Sequence, residues 1–532
     1  RIDHAVEVLA SLQDEQGYVC GFPRSESFDK VFDHPDEFDV EGFTLAGWWV
    51  PWYTFHKIFA GLLDVYTLVG NALAFQVATK LADWVKAGTD RLNDEQMARM
   101  LLCEYGGMAE SCVKMYELTG QKKYLDLSVR FAEKRIFLPL SQQRDELTGK
   151  HANTQIPKII AAANLYNNTG DDYYRRVAEF FWNTVAHNRS YVIGGNSISE
   201  HFNPLGTEDL GPNTAETCNT YNMMKLTEFL FSWEQKADYI DYYERCLYNH
   251  ILASQDPESG MKTYFVSLRP GHFKVYSDPE EAFWCCVGTG LENPFRYQRM
   301  IYYPVGDTLY VNLFIASSVN WEQKGIRLRM DTQFPYADHG TLTVTDADHV
   351  NATLKFRKPC WLAAEPSVSV NGEIAETEGE WISITRVWNT GDVISFTLPM
   401  QLSYYVARDD ENKRAVMYGP IVLAGELGRE NFPETDIVPG ENQMNAYPCI
   451  EVPDFVMEDK TISCWLKPED LGQLIFKTAP IAQPGNRSIV MKPFFAVHHV
   501  RYSVYWNVFN QSEYEKHLKS EKSLAERLEA VT

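Results

Sequence analysis

The chain has 532 residues, 49 Lys+Arg against 72 Asp+Glu, a formal net charge of −23, and 45% hydrophobic against 23% charged residues. That length spans roughly three domains, and the composition is that of a folded globular protein, not a disordered one. The negative surface repels phosphate backbones and anionic membranes, which argues against nucleic acid as a partner, and no run of about 18 apolar residues offers a membrane span.

Helical spacing is present from the start, at Ile2, Ala5, Val6, Leu9 and Leu12, so a natural N-terminal segment is expected ahead of Arg1 and the lack of a signal sequence carries no weight. Apolar residues keep that spacing through 59–69, 75–85, 97–118, 125–137, 156–166, 177–185 and 223–233. Gly70, Gly120 and Gly170 stand 50 residues apart, each closing an apolar helix and each followed by an aromatic residue, Phe75, Tyr124 or Tyr174, and a second helix. The pattern is helix, glycine cap, turn, return helix. Such hairpins stack as a solenoid or close into an (α/α) toroid, and the long loops 186–217 and 254–296 favour the toroid, because solenoid linkers are short.

Near residue 300 the period changes. Eight runs between 308 and 427, from TLYVNLFIAS to RAVMYGPIVLAGEL and including SVSVNGEIAE (367–376), alternate apolar and polar residues with Gly/Asn/Asp turns between them. They predict a β-sandwich or jelly roll. Residues 427–447, with Gly428, Asn431, Pro433, Pro439, Gly440 and Asn442, read as a linker or an irregular crossing, 448–508 is strand-like again, and 511–532 is a charged surface helix. The expected domains are 1–300, the helical catalytic domain; 301–426, a β-sandwich; and 427–532, a second β-rich domain with a terminal helix.

Ten cysteines in so long a chain form no dense disulfide framework. One constellation stands out: Glu216 and Cys218, with Cys285 and Cys286. Three thiols and a carboxylate make a tetrahedral zinc set, two ligands from each of two segments. Buried thiols, with or without a vicinal disulfide, fit the same spacing. Glu216-x-Cys218 precedes a helix expected over 221–233, and the adjacent cysteines are placed in a loop, because neighbours on a strand point to opposite faces. Glu200, after Gly194 and Gly195 and before His201, can serve as a general acid or as a capping or ion-paired carboxylate. His56, then Glu104 with Gly106 and Gly107, then His151, Asn153 and Gln155 form polar clusters where helices of successive hairpins begin. No G-x-S-x-G, P-loop or strand-borne G-x-G-x-x-G occurs, so a nucleotide site is not expected.

HKIFAGLLD, HANTQIPK, GGNSISEHF, AETCNTYNMMKL, FWCCVGTGLEN and RYSVYW together resemble the β-L-arabinofuranosidase group of glycoside hydrolases, family 127 and its relative family 146, with the SEHF and ETCNTYN wording nearer to family 146. The resemblance implies an (α/α)6 toroid followed by β-sandwich (jelly-roll-like) domains, zinc held by Glu216, Cys218, Cys285 and Cys286, and retaining hydrolysis with Cys285 as nucleophile and Glu200 as acid/base. His56 and His151 would contact the sugar, with Gln155 nearby. Ser199 stands where the family carries a larger residue, and a short leading segment of the toroid is missing. The expected reaction is removal of a terminal β-L-arabinofuranose, or a related furanoside, from plant glycans by a periplasmic or secreted enzyme. Two other functions are compatible with a toroid and sandwiches: a polysaccharide lyase, which needs a Tyr/His base and a basic site for uronates, and a non-catalytic glycan-binding protein with a structural zinc.

Overall fold

A computed structural model describes residues 1–375, 379–440, 443–444 and 446–529. Asn442 of the expected linker, Glu376 at the end of the fifth strand run and residues 530–532 of the terminal helix lie outside the described residues. The chain divides into two compact units, Arg1–Thr184 and Val185–Thr532.

In the first unit the glycine-capped hairpins are present. Helix Pro51–Asp64 continues as a wider turn, Val65–Val69, and returns as Ala72–Thr89; Met108–Thr119 returns as Lys122–Phe131; Ala152–Thr169 returns as Asp172–Asn188. Gly70, Gly120 and Gly170 take φ of 79°, 66° and 68°, and each N–H bonds the carbonyl of the tyrosine four residues back, Tyr66, Tyr116 or Tyr166. A side chain in that left-handed conformation costs about 1–2 kcal/mol, which is why glycine marks each cap. Phe55, Phe59, Leu62 and Leu63 on one helix and Leu81 and Val85 on its return helix are buried in one apolar cluster. A small antiparallel meander, Val40–Glu41, Thr44–Leu45 and Trp48–Trp49, precedes the first hairpin. Its two-residue strands are too short to leave a period-2 signature in the sequence.

The second unit contains helices Thr217–Trp233 and Ala237–Cys246, then the short helix Cys285–Glu292, which packs on the first of them. Two sheets follow. Val350–Arg357 pairs antiparallel with Trp381–Trp388 and parallel with Thr308–Val311. Ile326–Thr332, His339–Asp346 and Val393–Thr397 form the middle of the other sheet. Leu309, Val311, Leu354, Phe356 and Ile382 from the first sheet and Leu328, Met330, Leu342, Val344 and Phe396 from the second belong to one buried cluster, each such side chain contributing about 1.5–3 kcal/mol. Arg327 and Arg329, between the buried residues of their strand, face water.

The expected break at 426/427 falls inside a third sheet. Leu402–Ala407, Asp410–Tyr418 and Ile421–Glu426 pair with one another and with the C-terminal strands, Lys413 opposite Asn507 and Leu423 opposite Pro493. Strand pairing therefore places the change of sheet just before 402. Alternation reveals that a segment is a strand but not which strand it joins. The expected linker also carries order: Ile437–Val438 pairs in parallel with Tyr276–Ser277. No helix among the described residues is long and apolar enough to cross a membrane.

Candidate active site

The helix bearing Cys218 begins at Thr217, four residues earlier than its periodicity suggests. The cause is tertiary: the Thr217 N–H donates to the Tyr264 carbonyl at 3.0 Å and its hydroxyl to the Thr263 and Tyr264 carbonyls at 3.1 Å, so the first turn is anchored from outside. Glu216 stands at the N-cap position without using its carboxylate as a cap. The adjacent cysteines lie not in a loop but in the first turn of helix Cys285–Glu292. Gly288, Thr289 and Gly290 disfavour a helix in isolation. Packing overrides that preference: a Cβ on Gly290 would sit 2.5 Å from Lys262 Cγ, so only glycine admits the lysine stem. Successive helical residues point about 100° apart, so both sulfurs reach one place.

There they meet Glu216 and Cys218, and one donor atom from each of the four residues lies within 4.8 Å of the others. Cys286 Sγ is 3.2 Å from Cys218 Sγ and 4.0 Å from Cys285 Sγ; Glu216 Oε1 is 3.8 Å from Cys286 Sγ and 4.0 Å from Cys285 Sγ. A tetrahedral zinc with Zn–S bonds near 2.3 Å needs sulfurs about 3.8 Å apart. Glu216 Oε2 is buried with no hydrogen-bond partner among the described residues, an arrangement that costs several kcal/mol for a carboxylate unless a proton or a cation neutralises it. Three sulfurs and one carboxylate with that spacing, burial and orphaned oxygen fit zinc.

Electrostatics agree. Burial first, then the charges of Cys285 and Glu200, push the Glu216 carboxyl well above its ordinary range. Cys286 is raised well above a free thiol by burial, and Cys218 by its interaction with Cys285. Cys285 alone is lowered, because the thiols of Cys218 and then Cys286 hydrogen-bond its sulfur. Four adjacent groups cannot all be anionic unaided, and a divalent cation reverses that logic. Cys285 is also the half-buried member, the other three being buried.

Glu200 approaches the same cluster. Its loop holds Ser197, Ser199 and Glu200 at φ of 76°, 43° and 67°, left-handed conformations that cost about 1–3 kcal/mol each and collect at functional sites. The Tyr264 hydroxyl donates to Glu200 Oε1 and lies 3.7 Å from Cys285 Sγ. Tyr264 was not legible in the sequence: it sits in the strand-like run MKTYFVSL, and the bridge pairing Glu216 with Phe265, with the Thr217 bonds to its carbonyl, brings it to the cysteines. The Trp284 indole, next to Cys285, donates to the Pro439 carbonyl at 2.9 Å, so the crossing segment also holds the cysteine helix.

His56, His151 and Gln155 belong to the first unit. His56 is the sixth residue of its helix and packs against Gly106 and Gly107, where a Cβ would come within 2.8 and 2.7 Å of its ring nitrogens. Glu104 accepts the Gly106 N–H at 3.0 Å and is pushed up to about 7 by burial, against the pull of Lys158. His151 precedes helix Ala152–Thr169 and meets the Phe43 ring edge-on at 5.3 Å; Gln155 Nε2 donates to its carbonyl at 3.2 Å.

Comparison with known proteins fixes the class as a glycoside hydrolase with a helical catalytic domain and β-rich domains behind it. The profile of the β-L-arabinofuranosidase GH127 catalytic domain matches residues 1–299, that of the GH127 middle domain 308–400, and a domain of unknown function, DUF4986, 405–508. The chain belongs to the GH127 β-L-arabinofuranosidase family. A non-reducing end β-L-arabinofuranosidase of Bifidobacterium longum subsp. longum is 24% identical over 481 residues, 80% of this chain and 71% of that protein. The solved GH127 β-arabinofuranosidase BT3674 superposes with a TM-score of 0.72 at 20% identity, over 96% of this chain and 85% of its own. Ara127N-Se of Geobacillus stearothermophilus T6 gives 0.68 at 19%, over 95% and 86%. At such identities these likenesses establish the fold.

Proposed function

We propose that the protein is a retaining, exo-acting hydrolase that removes terminal β-L-arabinofuranose, or a related furanoside, from plant glycans, with Cys285 as nucleophile and Glu200 as acid/base. The observation that carries this reading is the placement of one half-buried sulfur in a Glu/Cys3 cluster, joined through the Tyr264 hydroxyl to a carboxylate on a strained loop. Glu216, Cys218, Cys285 and Cys286 would hold zinc, which when bound supplies the charge that keeps the sulfurs deprotonated. Cys285 Sγ attacks the anomeric carbon as the glycosidic C–O bond breaks, and Glu200 passes its proton to the leaving oxygen. Glu200 then takes a proton from water, whose oxygen displaces the sulfur with a second inversion. His56 and His151, with Gln155, hold the sugar. The (α/α)6 toroid, a jelly-roll-like sandwich, a place nearer family 146, and a periplasmic or secreted location complete the proposal, supported by the glycine-capped hairpins, the paired sheets and the SEHF wording.

The test is turnover of an aryl β-L-arabinofuranoside. Cys285→Ala falls to background and Glu200→Gln by about 10²–10⁴-fold, the usual worth of a general acid/base. Wild-type turnover in either variant overturns the assignment.

A further inference from the structure

Asn219 follows the cluster residue Cys218 directly, in the first turn of helix Thr217–Trp233, and is fully buried. Its side-chain amide donates to Ser197 Oγ at 2.8 Å and Asn196 Oδ1 at 3.3 Å. Both acceptors are themselves buried, at 1% and 0% exposure. They belong to the loop that ends at Glu200, and Ser197 is the first of its three left-handed non-glycine residues. Besides the Tyr264 hydroxyl on Glu200 and the His201 ring on the Ser199 carbonyl, the loop is tied through its backbone: Ala215 N–H to the Ser197 carbonyl at 3.0 Å, Ser199 N–H to the Asn213 carbonyl at 2.8 Å, and the Ile198–His201 turn. Those bonds hold the peptide, but none comes from the helix that carries Cys218.

We propose that Asn219 is a positioning residue for the acid/base: its amide, clamped on Ser197, sets the Glu200 carboxyl relative to the Glu/Cys3 cluster. The inference rests on the reading of Glu200 given above. Three non-glycine residues in the left-handed region would relax unless the surroundings over-determine them. The amide supplies that constraint from the element that fixes Cys218, so the acid and the sulfur cluster share one rigid support. A displacement of about 1 Å at a reacting group can cost about 10²-fold in rate, and Ser197 is only three residues from Glu200.

Leaving-group dependence separates this role from a structural one. A good leaving group departs without protonation, whereas a poor one needs the acid in place. Asn219→Ala and Ser197→Ala, which cut the same bond from opposite sides, are compared with the wild type and Glu200→Gln on aryl β-L-arabinofuranosides from dinitrophenyl to phenyl, with bound metal measured in each. The expected result is a loss in kcat/KM of about 10–100-fold for phenyl but less than about threefold for dinitrophenyl in both variants, with metal content unchanged. Should Asn219→Ala fail to fold, Ser197→Ala, which leaves the helix intact, decides alone. Uniform loss across the series, no loss, or loss of metal in the variant that folds overturns the proposal. If Glu200→Gln itself shows no leaving-group dependence, or the wild type turns over none of the series, the reading of Glu200 or of the substrate has failed instead.

Discussion

Replacing Gly195 with alanine inserts one methyl group where there is no room. Its Cβ would lie 2.6 Å from His250 Nδ1, 2.8 Å from His250 Cε1 and 2.7 Å from Ala215 Cβ. Ordinary carbon contacts begin near 3.5 Å, so each neighbour must retreat by about 1 Å. Neither can do so freely. His250 is fully buried, held neutral by burial with its pKa lowered to about 3, and hydrogen-bonded through Nδ1 to Thr220 Oγ1 at 2.6 Å. Ala215 has a φ of 55° and directly precedes Glu216. Overpacking of this kind costs about 1–3 kcal/mol. The strain leaves by two routes, to Glu216 through Ala215 and to Cys218 through Thr220 two residues on. With zinc held by these donors as proposed, disturbing their supports lowers its affinity about 10–100-fold. Zinc competition against a chromophoric chelator, with denaturant unfolding, measures both effects. Gly120→Ala is the control: its φ is 66° and nothing lies within 4 Å, so it loses about 1–2 kcal/mol of stability with zinc affinity intact. If Gly195→Ala loses stability but binds zinc like the wild type, the packing behind the loop does not support the donor set and the reasoning is wrong.

His499 Nδ1 lies 3.0 Å from Asp436, in the crossing segment, and Nε2 3.2 Å from Asp256. Burial opposes its charge, but hydrogen bonds and charge from Asp436 and then Asp256 hold its pKa above the ordinary value. Burial likewise opposes ionisation of Asp256, whose carboxyl is nevertheless held below its ordinary value by Ser259, the Glu258 N–H and His499. The histidine's contribution is therefore complete below its unfolded pKa of about 6.5 and lost as pH rises through the folded value; that of Asp256 is complete above about 3.9 and lost as pH falls through its folded value. The stability deficit of His499→Asn is expected to be largest between those limits and to shrink at alkaline pH, read from urea unfolding across pH; a deficit independent of pH contradicts this. In the first unit, Lys158 Nζ is 2.7 Å from Glu133 Oε2, both side chains being buried. Lys158→Met is expected to cost about 3 kcal/mol, the low end for a broken buried pair, because Arg135 still holds the other Glu133 oxygen at 2.6 Å. Denaturant unfolding checks this, and a loss below about 1 kcal/mol, the surface-pair range, refutes it.

Backbone constraints and face patterns were the legible part of the chain. A left-handed cap admits glycine with little competition, so Gly70, Gly120 and Gly170 advertised the hairpins, and a strand with one buried face alternates, as Ile326–Thr332 does. Pairings between distant segments leave no such trace: alternation in 402–426 continues smoothly while its partners lie beyond residue 489. At the site, residue type drew attention to the four donors as one of two readings, and the family resemblance, not the local pattern, gave Glu200 its expected role. Helix placement at Thr217 and Cys285 escaped notice, since it depends on Tyr264 and Lys262 from another segment. Tyr264 escaped for the same reason, and Asn219 was visible inside a motif whose purpose only the hydrogen bonds to Ser197 and Asn196 disclose.

The central claim is that the sulfur of Cys285 forms a covalent bond to the sugar. Peptide mass spectrometry on Glu200→Gln, acid-quenched during turnover of dinitrophenyl β-L-arabinofuranoside, tests it most directly, because loss of the base slows release of the intermediate. The account predicts one pentosyl group on the peptide containing Cys285 and a product of retained configuration from the wild type. A pentosyl group on a carboxylate, or no adduct together with an inverted product, would contradict it.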